Sequence, residues 1–494
     1  WKFRLDQPLS LDMLDIIREV LDPSLTVHND DGLPVGTLTQ LQHGLISEPL
    51  HAVAPRQLAL FNYDPLSEET GDLPTNASVR LLRGVAGSGK TLVLIRRAQH
   101  LASQYPQARL LILTFNVELA RDLAARAALP PEQLTVASFH KICRAILGAR
   151  WQEPLRTRAW LREHERDTLK SLGLTAEFVA SEFAWRKEMG LLTDTAYLEA
   201  DRKGRGQRLD RAKREQLNAA FNRYCRFQAD GHHDWDDLSW LALDALPDHS
   251  LRQSFDAIFI DEGQDFAPSW IQLALALLKP NGDLLICDDP SQSIFCSYTW
   301  SQKGLSVVGR TRILRIPFRS TREISQAAHT LIEADETLRA TEERAEPDFS
   351  SYELTSGPLP LLLQTPSLAA EVHFIEDKLR ELLANGVAPG QIAVLCHAPW
   401  LAERWEKWRE QGIYVQYFEK MKGLEFMVVF IPHLHTAFPH PEDPDAVTNA
   451  RRKLFTAMTR ARYRLILSHQ GQLPAPLEPL RASDWVETLH ASDV

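Results

Sequence analysis

Leu81-Leu82-Arg83-Gly84-Val85-Ala86-Gly87-Ser88-Gly89-Lys90-Thr91 is the stretch that decides the reading of this chain. Gly84 is followed by four residues and then by Gly89-Lys90-Thr91, the spacing of a P-loop. Glycines at 84, 87 and 89, with the small Ala86 and Ser88, let the backbone take φ > 0 and bring N–H groups close to phosphate oxygens. Lys90 offers a point charge to the β- and γ-phosphates, and the Thr91 hydroxyl is a ligand for Mg²⁺. The flanks agree. Val79–Leu82 is a strand-like run, and Leu92–Leu101 has helical apolar spacing, so the loop ends at a helix N-terminus that itself favours anions.

The rest of the chain suits a multidomain α/β protein. Its 494 residues allow two to four domains, and 44% hydrophobic with 24% charged residues is ordinary for a soluble globular protein. No apolar run reaches the ~18 residues of a membrane span. The opening Trp1-Lys2-Phe3-Arg4-Leu5-Asp6 has no signal-peptide core and no initiator Met, so we expect a cytoplasmic protein, trimmed or processed at its start. A missing N-terminal segment would be free to carry a separate activity. The five cysteines form no CxxC pair, which argues against a zinc site or a disulfide framework. A net charge of −10 argues against wholesale coating of nucleic acid but leaves room for a local basic channel.

Downstream, apolar runs deliver polar residues at their ends. Arg109–Phe115 reads as a buried parallel strand ending in Thr114-Phe115-Asn116, and Val136–His140 repeats the arrangement. Residues 146–235 turn helical and charged. Within them Arg202, Lys203 and Arg205 belong to the most basic segment, either a solvated face or a phosphate-tracking surface. Ala257–Ile260 delivers Asp261-Glu262-Gly263-Gln264-Asp265, a carboxylate pair suited to holding Mg²⁺ and polarising water. Asp283–Cys287 leads to Gln292, placed to sense a γ-phosphate. Tyr298 and Trp300 follow, as base-stacking aromatics or as core. Gln57 is an adenine reader or a surface amide. A second α/β unit begins near Thr311, with strand-like runs at Arg312–Ile316, Leu359–Gln364, Ile392–Cys396, Val428–Ile431 and Arg464–Ser468. It has no P-loop but carries Arg319 and Arg460, either arginine fingers or surface ion-pair partners.

Taken together, these motifs resemble those of superfamily 1 helicases of the UvrD/Rep/PcrA kind. Gln57 resembles the Q motif and Gly84–Thr91 motif I. Thr114-Phe115-Asn116 resembles motif Ia, and Ser138-Phe139-His140 the element after it. Asp261–Asp265 matches motif II and Gln292–Phe295 motif III. Arg319 falls in motif IV, Lys422–Phe426 in motif V and Ala457–Ala461 in motif VI. The resemblance covers roughly residues 55–470. It implies two RecA-like parallel-sheet domains with ATP and Mg²⁺ between them: 1A at 55–145 and 236–310, helical 1B at 146–235, and 2A at 311–494, behind an N-terminal extension at 1–54. It also implies 3′→5′ movement on single-stranded or tailed duplex DNA. By the match, Lys90 and Thr91 bind phosphate and Mg²⁺, Asp261 holds the metal, Glu262 activates water and Gln292 couples the γ-phosphate to DNA. Arg319 and Arg460 stabilise the transition state, and Glu425 helps close the nucleotide site. Phe115, Asn116, His140 and Trp300 become candidate DNA contacts, and Tyr298 is carried with Trp300.

The chain also departs from the family pattern. Gly412-Ile413-Tyr414-Val415 runs almost directly into Met421-Lys422-Gly423, so the 2B subdomain that larger relatives insert before motif V is missing. Motif V lacks its usual upstream Thr and His, and motif III its Gly-Trp-Arg-Gly tail. Three readings follow: an unwinding motor, a translocase that remodels nucleoproteins or serves a partner nuclease, and a nucleotide-gated scaffold in a defence or stress complex.

Overall fold

The computed structural model describes residues 26–28, 34–37, 39–52, 56–57, 76–191, 193–202, 209–293, 298–339, 344–351, 354–421, 423–438 and 444–490. Its first sheet is built around β1 (Asn76–Gly84), buried from Ala77 onward. β2 (Leu110–Thr114), β3 (Leu134–Ser138), β4 (Phe255–Ile260), β5 (Leu278–Asp288) and β6 (Thr311–Leu314) join it in the order β3-β2-β4-β5-β1-β6, all parallel. Arg56–Gln57 adds a short antiparallel edge to β1. Leu110–Leu113 of β2 and Ala257–Ile260 of β4 are continuously apolar because both faces are covered. Leu111 and Leu113 enter one core with Phe139, Phe266 and Trp270. Leu110 and Ile112 enter the other with Val93, Leu94 and Leu101.

The second sheet repeats the plan. β7 (Leu361–Thr365), β8 (Ile392–Cys396), β9 (Tyr414–Tyr417), β10 (Phe426–Ile431), β11 (Ala461–Gln470) and β12 (Glu487–His490) run parallel in the order β9-β8-β10-β11-β7-β12. Each strand therefore has a counterpart six places earlier in the first sheet. Here too alternate residues split between two cores: Ala393 and Leu395 face one, Ile392 and Val394 the other.

Helices sit where the loops demand them. α1 (Gln40–Ser47) packs on α2 (Lys90–Gln104), and Leu45 and Ile46 join the core beneath β2. α3 (Val117–Ala127) is capped by Asn116, whose side chain accepts from Leu119 N at 2.6 Å. α4 (Phe139–Leu147) follows β3. α5 (Ala176–Glu188) and α6 (Arg211–Ala229) pack with smaller helices around Phe183, Leu217, Phe221 and Tyr224, a core separate from either sheet. α7 (Arg322–Glu333), α8 (Leu368–Ala384) and α9 (Pro444–Met458) flank the second sheet. No helix among the described residues is long and apolar enough to cross a membrane.

Two expectations about boundaries change. Thr311–Leu314 pairs with β1 from Leu81 to Gly84, so this strand belongs to the first sheet and the second unit begins after it. A four-residue run with no flanking helix pattern cannot announce which sheet it joins. Residues 40–52 are likewise no detached extension, because the Arg97 guanidinium donates to Leu45 O and Glu48 O, both at 2.8 Å. The sequence reading has no strand at β9 or β12; both are edge strands, and apart from the buried Val415 their residues are exposed or half-buried, so neither carries a continuous apolar run.

The helical unit is bolted to the first sheet by a buried charge cluster. Lys187 Nζ lies 2.8 Å from Asp234 and 2.7 Å from Asp237. The Asp234 carboxylate also accepts from Tyr224 (2.8 Å) and Thr157 (3.0 Å), and the Trp240 indole donates to Lys187 O at 2.9 Å. Burial alone would push the Lys187 ammonium down, but the two carboxylates outweigh it and hold it above its ordinary value. Without Asp234 the buried Lys187 keeps only Asp237, and the Tyr224 and Thr157 hydroxyls and the Asp236 and Asp237 N–H groups lose this acceptor. Asp234→Ala should therefore cost about 3–5 kcal/mol of stability, read as an earlier denaturant transition of the α5–α6 unit by hydrogen exchange. A surface-like loss below about 1 kcal/mol would contradict this account.

Candidate nucleotide and nucleic-acid sites

β1 ends at Gly84 and α2 begins at Lys90, so the intervening loop lies at the carboxyl edge of the sheet, where open α/β folds bind ligands. Gly87 and Gly89 are left-handed, at φ 75° and 83°. Lys90 Nζ donates to Gly84 O (2.8 Å) and Val85 O (3.0 Å) and stands 3.7 Å from the Asp289 carboxylate. The Ser88 hydroxyl is buried with no hydrogen-bond partner among the described residues, as fits a loop whose remaining donors await phosphate oxygens.

Across the loop, β4 delivers Asp261 and Glu262. Thr91 Oγ1 donates to Asp261 Oδ2 at 2.9 Å, joining the two groups expected to hold Mg²⁺. Burial, then the neighbouring Glu262, raises the Asp261 carboxyl to about 6. A carboxyl in that condition is stabilised as its anion by a divalent cation, so the donor set fits the ion. Glu262 is left-handed at φ 56°. Its carboxylate accepts from the Gln264 amide, whose carbonyl oxygen accepts from Asp289 N at 3.0 Å. Beneath this turn the buried Lys303 donates to Gly263 O (2.7 Å) and Gln264 O (3.2 Å).

The second sheet closes the site. Arg319 N donates to Gly87 O at 3.2 Å, and Ala86 is packed into the second sheet's core. Arg319 Nε lies 2.6 Å from Glu425. Burial acts to raise the Glu425 carboxyl, but Arg319, Arg462, Arg126 and Arg460 together hold it below its ordinary value. Arg460, 1% exposed, donates to Gln292 Oε1, to Thr456 O (3.0 Å) and to Leu424 O (3.3 Å). Gln292 in turn donates to Asp289 at 2.6 Å. Burial, then Arg319, lowers the Arg460 guanidinium to about 10, leaving it charged at neutral pH.

The DNA candidates divide. Phe115 stacks on Trp270 with centroids 5.8 Å apart, and His140 meets the same indole edge-on at 5.0 Å. Burial lowers His140 to about 4, so it is neutral at ordinary pH. Asn116 spends its side-chain oxygen capping α3. The Tyr298 hydroxyl is bonded to Glu188 of α5. Trp300 is corrected: it is 2% exposed, and its indole N–H donates to Asp288 at 2.9 Å, so it packs under the Glu262 turn instead of meeting a base. Arg202 is corrected as well. Its guanidinium grips the buried Glu182 at 2.6 and 2.9 Å and is not offered to phosphate. Lys203, Arg205 and Lys422 lie outside the described residues, as does the side chain of Gln57.

Two exposed tryptophans were missed. Trp235, 40% exposed, stands edge-on to His140 at 5.2 Å. Trp400, 51% exposed, follows β8, the counterpart of the strand that leads to Phe115 and Asn116, and the Arg404 guanidinium lies 5.8 Å from its ring. Neither sits in a motif. Their only sequence signal is a large aromatic among charged neighbours.

With the geometry in place, comparison with known proteins shows what the chain is similar to. Residues 70–301 match a family profile described as the UvrD/REP helicase N-terminal domain. The chain is 25% identical over 349 residues to YjcD of Bacillus subtilis, covering 65% of this chain and 44% of that protein. It is 25% identical over 278 residues to the ATP-dependent DNA helicase PcrA of Leuconostoc citreum (51% and 37%). It is 24% identical over 353 residues to the ATP-dependent DNA helicase UvrD2 of Mycobacterium tuberculosis (63% and 48%). The chain thus spans less than half the length of these curated relatives.

Gly87 offers a direct test of this arrangement. A Cβ added there would lie 2.6 Å from Arg319 Cβ at a left-handed φ. Gly87→Ala should carry a penalty of about 1–3 kcal/mol in this closed arrangement, read as a lowered melting temperature, and should weaken Mg²⁺–nucleotide binding in calorimetric titration to the extent that the loop is displaced. An unchanged melting temperature would contradict this arrangement.

Proposed function

We propose that this UvrD-like chain is an ATP-driven motor that moves 3′→5′ along single-stranded DNA. The observation that carries the reading is the contact between the sheets. One contributes the P-loop, Asp261, Glu262 and Gln292; the other brings Arg319, whose backbone is bonded to Gly87 of that loop, and Arg460, bonded to Gln292. The 3′→5′ polarity rests on family resemblance alone.

The chemistry follows from the residues. Lys90 would leave its two loop carbonyls for the phosphates. Thr91 and Asp261 would hold Mg²⁺, which when bound neutralises developing phosphate charge. Glu262, tethered by Gln264, would orient and polarise the attacking water. Arg460 and Arg319 would trade Gln292 and Glu425 for the transferring phosphoryl group. Because those partners lie on both sheets, each turnover would loosen and remake the contact, moving one sheet against the other. Phe115, His140 and Trp235 on the first sheet and Trp400 on the second would give bases two platforms that separate and close with the cycle.

A second reading, a translocase that strips bound proteins or serves a partner with little unwinding of its own, is favoured by one observation. β9 ends at Tyr417 and β10 begins at Phe426, so residues 418–425 leave no room for an inserted subdomain. The scaffold reading is disfavoured by the complete set of Glu262, Gln292, Arg319 and Arg460.

Lys90→Ala and Glu262→Gln should each abolish DNA-stimulated ATP hydrolysis, with nucleotide binding retained in the second. Arg319→Ala and Arg460→Ala should each lower kcat by roughly 10³–10⁵. Phosphate release measured with and without oligothymidylate tests the set, and an active Glu262→Gln protein would overturn the assignment. On 3′-tailed and 5′-tailed duplexes, strand separation should occur only with the 3′ tail. Separation from 5′ tails alone would reverse the polarity, and ATP-driven protein displacement without separation would select the second reading.

Trp235→Ala and Trp400→Ala should each weaken single-strand affinity by about 1–3 kcal/mol, read as fluorescence anisotropy at fixed salt. Unchanged binding in both would withdraw the two platforms.

A further inference from the structure

Gln42 lies on α1, outside residues 70–301 and outside every motif above, yet it touches the P-loop. It is 2% exposed. Its amide is committed at both ends. Oε1 accepts from Thr39 N at 2.9 Å, completing a capping box with the Thr39 hydroxyl, and Nε2 donates to Ser88 O at 3.1 Å. The approach is close, for a Cβ built on Gly89 would lie 2.8 Å from Nε2.

The helix carrying Gln42 is held independently of that bond. Arg97 binds Leu45 O and Glu48 O, Arg80 pairs with Glu48 at 2.6 Å, and His51 N donates to Asp283 at 3.1 Å. The cap at Thr39 orients the amide, and the arginines fix the helix. Gln42 therefore meets the loop from a rigid base.

A trans peptide is planar, with its C=O and N–H pointing to opposite sides. Holding Ser88 O out toward Gln42 turns the N–H of Gly89 away from Gln42, into the loop that backbone donors line for phosphate. We propose that Gln42 is a positioning residue for the nucleotide: it presets the Ser88–Gly89 peptide, and α1 is a working part of the nucleotide site. This rests on the ATP reading of the P-loop. A preset donor acts alike on bound substrate and transition state, so its loss raises KM and leaves kcat alone.

Gln42→Met fills the same volume without the amide. It should raise KM for ATP, and Kd for a fluorescent ADP analogue, roughly five- to tenfold, the worth of one such hydrogen bond, with kcat within about twofold. Gln42→Glu keeps the Thr39 contact but sets an acceptor against Ser88 O, and should raise both constants further. Glu48→Gln removes the Arg80 pair but keeps the backbone carbonyls that Arg97 holds, so α1 stays in place; it should lower the melting temperature and leave KM within about twofold. If Gln42→Met lowers the melting temperature as Glu48→Gln does, with KM and Kd unaltered, Gln42 is structural only and the proposal fails. Lys90→Ala separates the two readings. If Lys90→Ala retains full analogue affinity the P-loop reading itself fails, whereas loss of binding there with an unchanged Gln42→Met fails this inference alone.

Discussion

Arg460 is a full positive charge placed where water cannot reach it, and the arrangement of both sheets follows from what that charge requires. Burial makes a guanidinium costly unless each donor finds an acceptor. Two of its partners, Thr456 O and Leu424 O, come from its own unit, and the third is Gln292 of the other sheet. The field of Glu262, Glu425 and Asp289 opposes the cost of burial and the repulsion of Arg319. The charge is therefore satisfied only while the sheets are together. Any anion entering between them would compete for it directly.

The two sheets share a strand order but not the residues at their carboxyl edges. The residue second after β4 is Glu262, and second after β10 it is His433; both are left-handed, at φ 56° and 64°. The residue before them is Asp261 in the first sheet and Pro432 in the second, and proline offers a metal nothing. Where Thr91 of α2 reaches Asp261, the second sheet has Glu371 of α8. It is fully buried and accepts from His433 N (3.0 Å) and the Ser468 hydroxyl (2.6 Å). That carboxylate is spent inside the fold. The second sheet keeps the strand order of the first but ties this edge with its own hydrogen bonds, and the edge it turns to the first unit is the opposite one, where β10 and β11 begin beside Glu425 and Arg460.

A buried polar layer recurs under the active loops. Lys303 braces the carbonyls of Gly263 and Gln264 while Trp300 lies against it, its ring 4.3 Å from the ammonium. Arg83 and the Trp300 indole both bind Asp288. In the helical unit, Lys187 is held in the same manner by Asp234 and Asp237. Each cation is enclosed and paired, which fixes loop geometry more sharply than apolar packing would, since a displaced partner leaves a charge unsatisfied.

The sequence by itself determined the P-loop, the carboxylate pair after β4 and the alternation of strand and helix in both units, and left Arg319 and Arg460 open between fingers and surface ion pairs. These rest on local spacing and on continuous apolar runs, which carry their meaning within a dozen residues. Only the tertiary structure decided the pairings that join distant segments. It sent β6 to the first sheet, gave Arg202 to Glu182 and buried Trp300 on Asp288. It exposed Trp235 beside His140 and Trp400 after β8, and it brought Gln42 to Ser88. The physical reason is common to all of them. Whether a tryptophan stacks or packs, and whether an arginine is free or paired, depends on which surfaces close around it, and strand order and sheet docking set that at separations where residue spacing carries no information.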